Sequence, residues 1–420
     1  ASGRVRLARS AEARSVELAG FSLASPQGVS IPATDLHFDH RLGDRPGGSF
    51  RANLLDLEAL TRLAASLPLA QEVVDRLAAF DPAGRIEKPE LEWSGPPDAL
   101  TGWKLKAGFE GIGLRAWKSI PGVSGLSGQV EGSESQGRLR IDGRDVALDL
   151  PEVFSNPRLQ LANLRAEAGW ERRGGNLEFS LDKAEFDNQD ASGQASGTYR
   201  PTPVGPGVVD LQARLTRADG TAVWRYMPLV VNRVTREWLQ HSIVGGTALD
   251  ARLRLKGDLK DFPFVDGKGG GQFQVRARIA GAHLDYAEGW PVIDAIDGEL
   301  LFEGAGMKVT ADRGRIFGVQ LAAVSAVIRD LDAREPVITI KGRAAGPTRD
   351  FLRFITASPV AAQINHFTDD MSAEGNGTLD LELVMPLERV EQARVKGDYR
   401  FAGNRLNVVS ALPPVTAIQQ

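Results

Sequence analysis

The stretch Ala248-Leu249-Asp250-Ala251-Arg252-Leu253-Arg254-Leu255-Lys256-Gly257-Asp258-Leu259 decides the fold. One parity carries Leu249, Ala251, Leu253, Leu255, Gly257 and Leu259, and the other carries Asp250, Arg252, Arg254, Lys256 and Asp258. Successive side chains of a strand point to opposite sides, so this period of two predicts a sheet with one wet face and one apolar face. Two short helical segments from Thr221 lead into it. The pattern advertises no covalent chemistry. It raises the question of what covers the apolar face.

Outward from this point the chain reads as strands. Before it come Val16–Leu23, Ser49–Leu54, Gly84–Glu87, Glu90–Trp93, Gly102–Glu110, Arg138–Asp142, Asp145–Leu150, Asn163–Trp170, Asn176–Leu181 and Val209–Leu215. After it come Gln272–Ile279, Gly298–Phe302, Met307–Ala311, Val319–Val324, Val337–Gly342, Thr378–Leu387 and Arg394–Gly403. Gly, Asn, Asp and Pro separate these runs, and tetrads such as Arg172-Arg173-Gly174-Gly175 suit tight hairpins. Parallel pairing would need crossover helices, so the expected topology is an antiparallel meander.

Three helical insertions interrupt the strands, at about 54–80, 221–243 and 348–366. Their apolar residues recur at three and four, and each contains a proline: Pro68, Pro228 and Pro359. Each is followed by an alternating strand, which makes a loose internal repeat along the chain. Residues 1–420 are therefore expected to form one continuous β-groove, a fragment cut from a longer chain.

The chain has 420 residues, 42% of them hydrophobic, and 50 basic against 54 acidic residues spread evenly for a net charge of −4. No block of one sign would attract a polyanion, so nucleic acid is not an expected partner. There is no cysteine, which excludes disulfides and thiolate chemistry. The longest apolar run, Val319–Ile328, is broken by Gln320 and Ser325, far short of a membrane-spanning helix.

Candidate catalytic groups read as structural. His37 and His40 are three apart, but in a strand they face opposite ways and cannot share a metal. His241, His283 and His366 stand alone. Asp187-Asn188-Gln189-Asp190 lacks the spacing and closing Glu of a calcium loop. Gly267-Lys268-Gly269-Gly270-Gly271 lacks the residue order and following helix of a phosphate loop. No Ser occupies a nucleophile elbow. The sequence thus predicts no enzyme, no metal site and no cofactor.

Twenty or so strands cannot stay flat. They either pair their apolar faces in closed sandwiches or curl into a trough with the apolar side inside. The helices are too few to cover one face throughout.

The motifs Trp224-Arg225-Tyr226-Met227-Pro228, Trp238–Gly246, Gly257–Phe264, Gly271–Val275 and Asp285–Ile293 together are specific. With Gly314–Gly318, Ile328–Leu331 and Phe351–Pro359, they resemble the central region of YhdP-like members of the AsmA-like family of Gram-negative envelope proteins, relatives of the TamB-like proteins. The likeness is densest from about Asp219 to Val360. It implies an inner-membrane anchor, absent from this sequence, and a long sheet crossing the periplasm to the outer membrane or envelope proteins at the far end. It also implies phospholipid as cargo, moved between the inner and outer membranes. The expected fold is mainly β: a long antiparallel meander curled into an elongated open groove, taco-like, with a few short amphipathic helix pairs.

Physical chemistry fits that expectation. Each methylene held in water costs about 0.8 kcal/mol, so a sixteen-carbon tail costs on the order of 12 kcal/mol. An apolar trough removes most of this cost and needs only a weak, even preference along its length. The expected lining is Leu253, Leu255, Phe273, Val275, Ile279, Leu300, Phe302, Val309, Ile338, Ile340, Leu379, Leu381 and Leu383. Trp224, Tyr226, Trp238 and Trp290 are candidate rim or gate residues, because amphipathic rings suit a headgroup boundary. The alternative is a structural or adhesive β-array with closed sandwich cores and no lipid cargo.

Overall fold

A computed structural model describes all residues except 25–29, 65–69, 97, 119, 409–414 and 420, and the side chains of 417 and 419. Pro68 therefore lies outside the described residues. The protein is mainly β, with 22 strands and few helices among the described residues, and its described strand pairings are antiparallel in an open meander. Two compact units divide at Val209/Asp210.

The first unit holds β1 (Ser2–Arg9), β2 (Ala13–Ala24), β3 (Ser30–Arg41), β4 (Gly47–Ala52), β5 (Leu54–Asp56) and β6 (Ala83–Ser94). It continues with β7 (Gly102–Leu114), β8 (Gly122–Ser133), β9 (Gln136–Asp149), β10 (Arg158–Arg173), β11 (Asn176–Asp187) and β12 (Ala191–Arg200). Each pairs with its neighbour in sequence, and β4 and β5 share β6 as partner. Helices α1 (Leu57–Ala64) and α2 (Gln71–Phe80) precede β6.

Strand β13 (Val208–Asp219) begins at the boundary. The second unit continues with β14 (Ile243–Asp258), β15 (Gln272–Leu284), β16 (Ile293–Glu303), β17 (Gly306–Ile316) and β18 (Val319–Ile328). It ends with β19 (Val337–Pro347), β20 (Ser372–Pro386), β21 (Arg394–Asn407) and β22 (Val415–Gln419). A 3-10 segment (Gly220–Tyr226) and α3 (Arg233–Ser242) precede β14, with Pro228 between them. Before β20 come α4 (Thr348–Thr356) and α5 (Val360–Gln363), with Pro359 as the cap of α5. Asn232 caps α3 by accepting from the Thr235 N–H at 2.8 Å, which satisfies one of the donors a helix start leaves free.

The structure corrects the reading of the 248–259 stretch. Asp250 has φ +49°, and the register of β14 against β15 shifts between Leu249 and Arg252. A bulge adds one residue, so parity reverses across it. Ala248 therefore pairs with Ile279 on the apolar side, and Leu249 pairs with Arg278 on the charged side, 40% exposed. Leu259 leaves the strand for a 3-10 turn, Leu259–Asp261. Gly84–Glu87 and Glu90–Trp93, read as separate strands, are one strand bulged at Lys88, φ +44°.

Such bulges recur. Gly20, Gly111 and Gly281 have φ between +58° and +61°, and each donates its N–H to a side chain on the next strand. The acceptors are Asp35 Oδ1 at 2.7 Å, Ser127 Oγ at 3.0 Å and Asp297 Oδ1 at 2.7 Å. Each bulge bends its strand and increases the local twist.

The apolar side is not sealed. Accessible surface totals 25,726 Å², whereas two compact proteins of half this mass would together expose about 19,000 Å². Buried apolar residues are mostly alanines, with Ile31, Val146, Leu161, Phe264, Ile296, Val319 and Ile328 as the larger exceptions. A closed sandwich would bury its large aliphatic residues instead.

Close strand approach depends on small residues. A Cβ on Gly298 would lie 2.0 Å from the Thr310 carbonyl oxygen, a backbone atom that cannot swing away. Gly298→Ala is expected to lower the stability of the second unit by about 1–3 kcal/mol, measured as a shift in the denaturant midpoint.

Candidate functional site

Cross-strand partners lie on the same face of a sheet, so the strand register traces what each face presents. In the second unit one row runs Leu253, Val275, Phe302, Met307, Ile328, Ile338 and Met385 from β14 to β20. The next row runs Ala277, Leu300, Val309, Ala326, Ile340, Leu383 and Val395. Leu255 pairs with Phe273, Ile279 with Gly298, and Leu379 and Leu381 with Tyr399 and Gly397. All thirteen residues expected to line an apolar surface thus share one face, and every one is part-exposed rather than buried.

The opposite face carries the ion pairs. Arg276 meets Glu299 at 2.8 Å, Lys341 meets Glu382 at 3.0 Å and Arg343 meets Asp380 at 2.8 Å, with Arg254 on Asp210, Arg214 on Asp250 and Arg313 on Asp297. Exposed pairs of this kind add little stability. Their effect is to keep one side wet and to discourage edge or face association.

The first unit repeats the segregation. Ala107, Val130, Leu139, Ala168, Leu181 and Gly197 form one row from β7 to β12, and Phe109, Gly128, Ile141, Ala166, Ala184 and Ala195 the next. On the outer side lie Arg140 with Glu167 at 3.7 Å, Arg165 with Asp142 at 3.4 Å and Lys183 with Glu185 at 2.6 Å.

In the second unit the helices stand at one set of strand ends. The phenol of Tyr399, on the apolar face, meets the Thr348 hydroxyl at 2.8 Å, and Phe351 of α4 lies edge-on to its ring at 5.1 Å. Buried Asn404 donates to the same Thr348 hydroxyl, so α4 is held over the apolar side of β20 and β21. Burial raises the Tyr399 phenol, opposed by the Thr348 hydrogen bond.

Of the candidate rim residues, Trp238 donates its indole N–H to the Tyr286 carbonyl at 3.0 Å, and Trp290 lies 5.9 Å from the rings of both Tyr286 and Phe354. Trp224 and Tyr226 lie on the 3-10 segment that packs against α3 and β14. Burial, with a smaller effect from Asp285, pushes the Tyr286 phenol up to about 12, so it stays neutral in this cluster.

The histidines take local partners. His37 is 2.6 Å from Asp39 on the outer face, while His40 stands on the other face, its ring 6.4 Å from Phe38 and from Trp93. His241, His283 and His366 meet the Glu237 carbonyl, Asp294 and Asp369 at 2.7, 2.8 and 3.0 Å. No cluster of three or more acidic or histidine residues suited to a metal occurs among the described residues. No helix among them is long and apolar enough to cross a membrane.

A further aromatic row was not anticipated. At the turn ends of the first unit Trp93 pairs with Trp103, Trp170 with Phe179, and Phe179 with Tyr199. Trp103 and Trp170 are 6.4 Å apart, with the Trp170 indole occupying the space a side chain at Gly132 or Gly137 would need. The sequence signal is the pair of glycines opposite a tryptophan, legible only once register is known.

With two segregated faces and no catalytic constellation among the described residues, comparison with known proteins decides the family. The sequence model of the family described as YhdP protein matches residues 1–420. The chain belongs to the YhdP family. One curated relative, the intermembrane phospholipid transporter YhdP of Escherichia coli (strain K12), is 27% identical over 361 residues, covering 84% of this chain. The chain spans 27% of that relative's length. No solved structure matches.

The ion pairs give the family fold a definite acid response. The Gly281 N–H and then Arg313 hold the Asp297 carboxyl below its usual range, and the Arg343 hydrogen bond does the same for Asp380. A carboxyl depressed on folding contributes stability above its unfolded value, about 3.9, and that contribution is lost as pH falls through the folded value. The thermal midpoint is therefore expected to drop as pH falls below about 4. Asp380→Asn should be less stable at neutral pH and less sensitive to acid, as differential scanning fluorimetry across pH would read.

Proposed function

We propose that this chain is a segment of a periplasmic intermembrane phospholipid transporter, and that acyl chains travel along its apolar face. The observation that carries the reading is the continuous row of apolar side chains from Leu253 to Met385, each part-exposed except the buried Ile328, facing away from the surface that holds the ion pairs. The E. coli relative is named for moving phospholipid between membranes, and an apolar face that no protein seals is what such a cargo requires.

In this reading each sheet bends at its bulges into an open groove, and the thirteen residues from Leu253 to Leu383 line it in the second unit. The preference is weak and even from strand to strand, because a deep local well would hold a lipid rather than pass it on. Trp224, Tyr226, Trp238 and Trp290 stand at the helix-bearing rim. The protein has no enzymatic role; its work is to lower the roughly 0.8 kcal/mol per methylene that water imposes on a tail. An inner-membrane anchor and outer-membrane contacts would belong to other parts of the full-length protein.

A photo-crosslinking residue at Val275, Val309 or Ile340 is expected to capture phospholipid in cells, whereas one at Arg276 or Lys308 is not. Equal capture on both faces, or none on the apolar face, overturns the proposal. Val309→Glu is expected to reduce capture at Ile340 about tenfold, the change that about 1.4 kcal/mol gives.

A further inference from the structure

The apolar face of the first unit is not uniform along its strands. At the ends nearest the short turns it carries a row of rings, and at the opposite ends it is aliphatic, with Leu114 paired to Val123 and Val123 to Leu148. From β2 to β7 the row runs in register, with Arg14 opposite His40, His40 opposite Gly48 and Gly48 opposite Trp93, and between β7 and β10 it steps by two residues, because Trp170 lies in the register of Leu105. Trp103 follows, then Trp170 across the glycines of β8 and β9, then Phe179 and Tyr199.

Three features separate this row from ordinary core packing. Its rings are part-exposed or exposed, with Phe179 and Tyr199 at 40% and 39%. Its polar atoms reach backbone carbonyls at the turn ends, Trp170 Nε1–H to Ser133 at 2.9 Å and the Tyr199 hydroxyl to Pro206 at 3.0 Å. Cations border it on the same face: Arg14 beyond Val16, and Arg172 one step beyond Trp170 on β10. Arg14 makes no ion pair among the described residues, and Arg172 donates to the Gly175 carbonyl at 3.0 Å while facing the field of Glu134.

Rings with an apolar body and a polar tip settle where hydrocarbon meets water, and guanidinium groups bind phosphate oxygens. We propose that Trp93, Trp103 and Trp170, with Arg14, His40 and Arg172, form a headgroup lip for glycerophospholipid. The phosphate lies at the turn ends and the tails point toward Leu114 and Leu148. The assignment rests on the conduit reading above and adds an orientation to it: the lipid lies along the strands, across the run of the sheet, with its polar end always at the same lip of this unit. A tryptophan row gives no trap, because successive rings offer similar positions along it.

The test uses the unmodified chain with two photoactivatable phospholipids, one with a diazirine in the headgroup and one with it at the chain terminus, and maps adducts by peptide mass spectrometry. The headgroup probe is expected to label peptides holding Trp93, Trp103 and Trp170, and the chain-terminal probe those holding Leu114, Val123 and Leu148. Reversed labelling, or chain-terminal labelling of the tryptophan peptides, overturns the lip and leaves the conduit standing. No adduct from either probe overturns the conduit and the lip together. In the R14Q/R172Q double variant headgroup labelling should fall by half or more while chain-terminal labelling persists; unchanged headgroup labelling removes the arginines from the proposal.

Discussion

A strand cannot change the side on which a residue points without changing its backbone, and the architecture depends on that constraint. Hydrogen bonding to neighbours in the sheet fixes the pleat, so apolar and charged residues separate only as far as their parity is kept. Where parity must change, one extra residue is accommodated in a left-handed conformation, and at Gly20, Gly111 and Gly281 its freed N–H finds a side chain on the next strand. Asp35, Ser127 and Asp297 supply that acceptor in different places. The bulge thus bends the sheet while keeping each row on its own face.

The two faces then divide the work. Ion pairs on the outer side add little to stability but make sheet-on-sheet stacking unfavourable, since stacking would desolvate them. The inner side holds aliphatic rows that protein leaves part-exposed. A globular protein would close such a surface to gain hydrophobic free energy. Here alanines and glycines bring strands together at selected points, and larger side chains stay part-exposed.

Face chemistry was legible in the sequence because alternation survives over whole strands, as in Thr378–Leu387 and Leu253–Leu255. The thirteen apolar positions share a face for that reason alone. Bulges are not legible, because Lys88, Ala295 and Ala323 are residues that rarely take positive φ, and Asp250, which tolerates it better, stands inside an unbroken alternation. Leu249 was consequently assigned to the wrong side. The tryptophan row was hidden for a different reason: Trp103 and Trp170 are far apart in sequence and become neighbours only through the registers of β8 and β9, which the turn at Ser133–Ser135 sets.

Because each strand joins chiefly the one made just before it, such a sheet can be assembled progressively from its first hairpin, with little loop-closure entropy to overcome at any stage. Evolution can likewise lengthen or shorten it by whole hairpins, each adding about 10 Å of reach at the usual strand spacing. A sheet built this way can change in length while each strand keeps the same two neighbours.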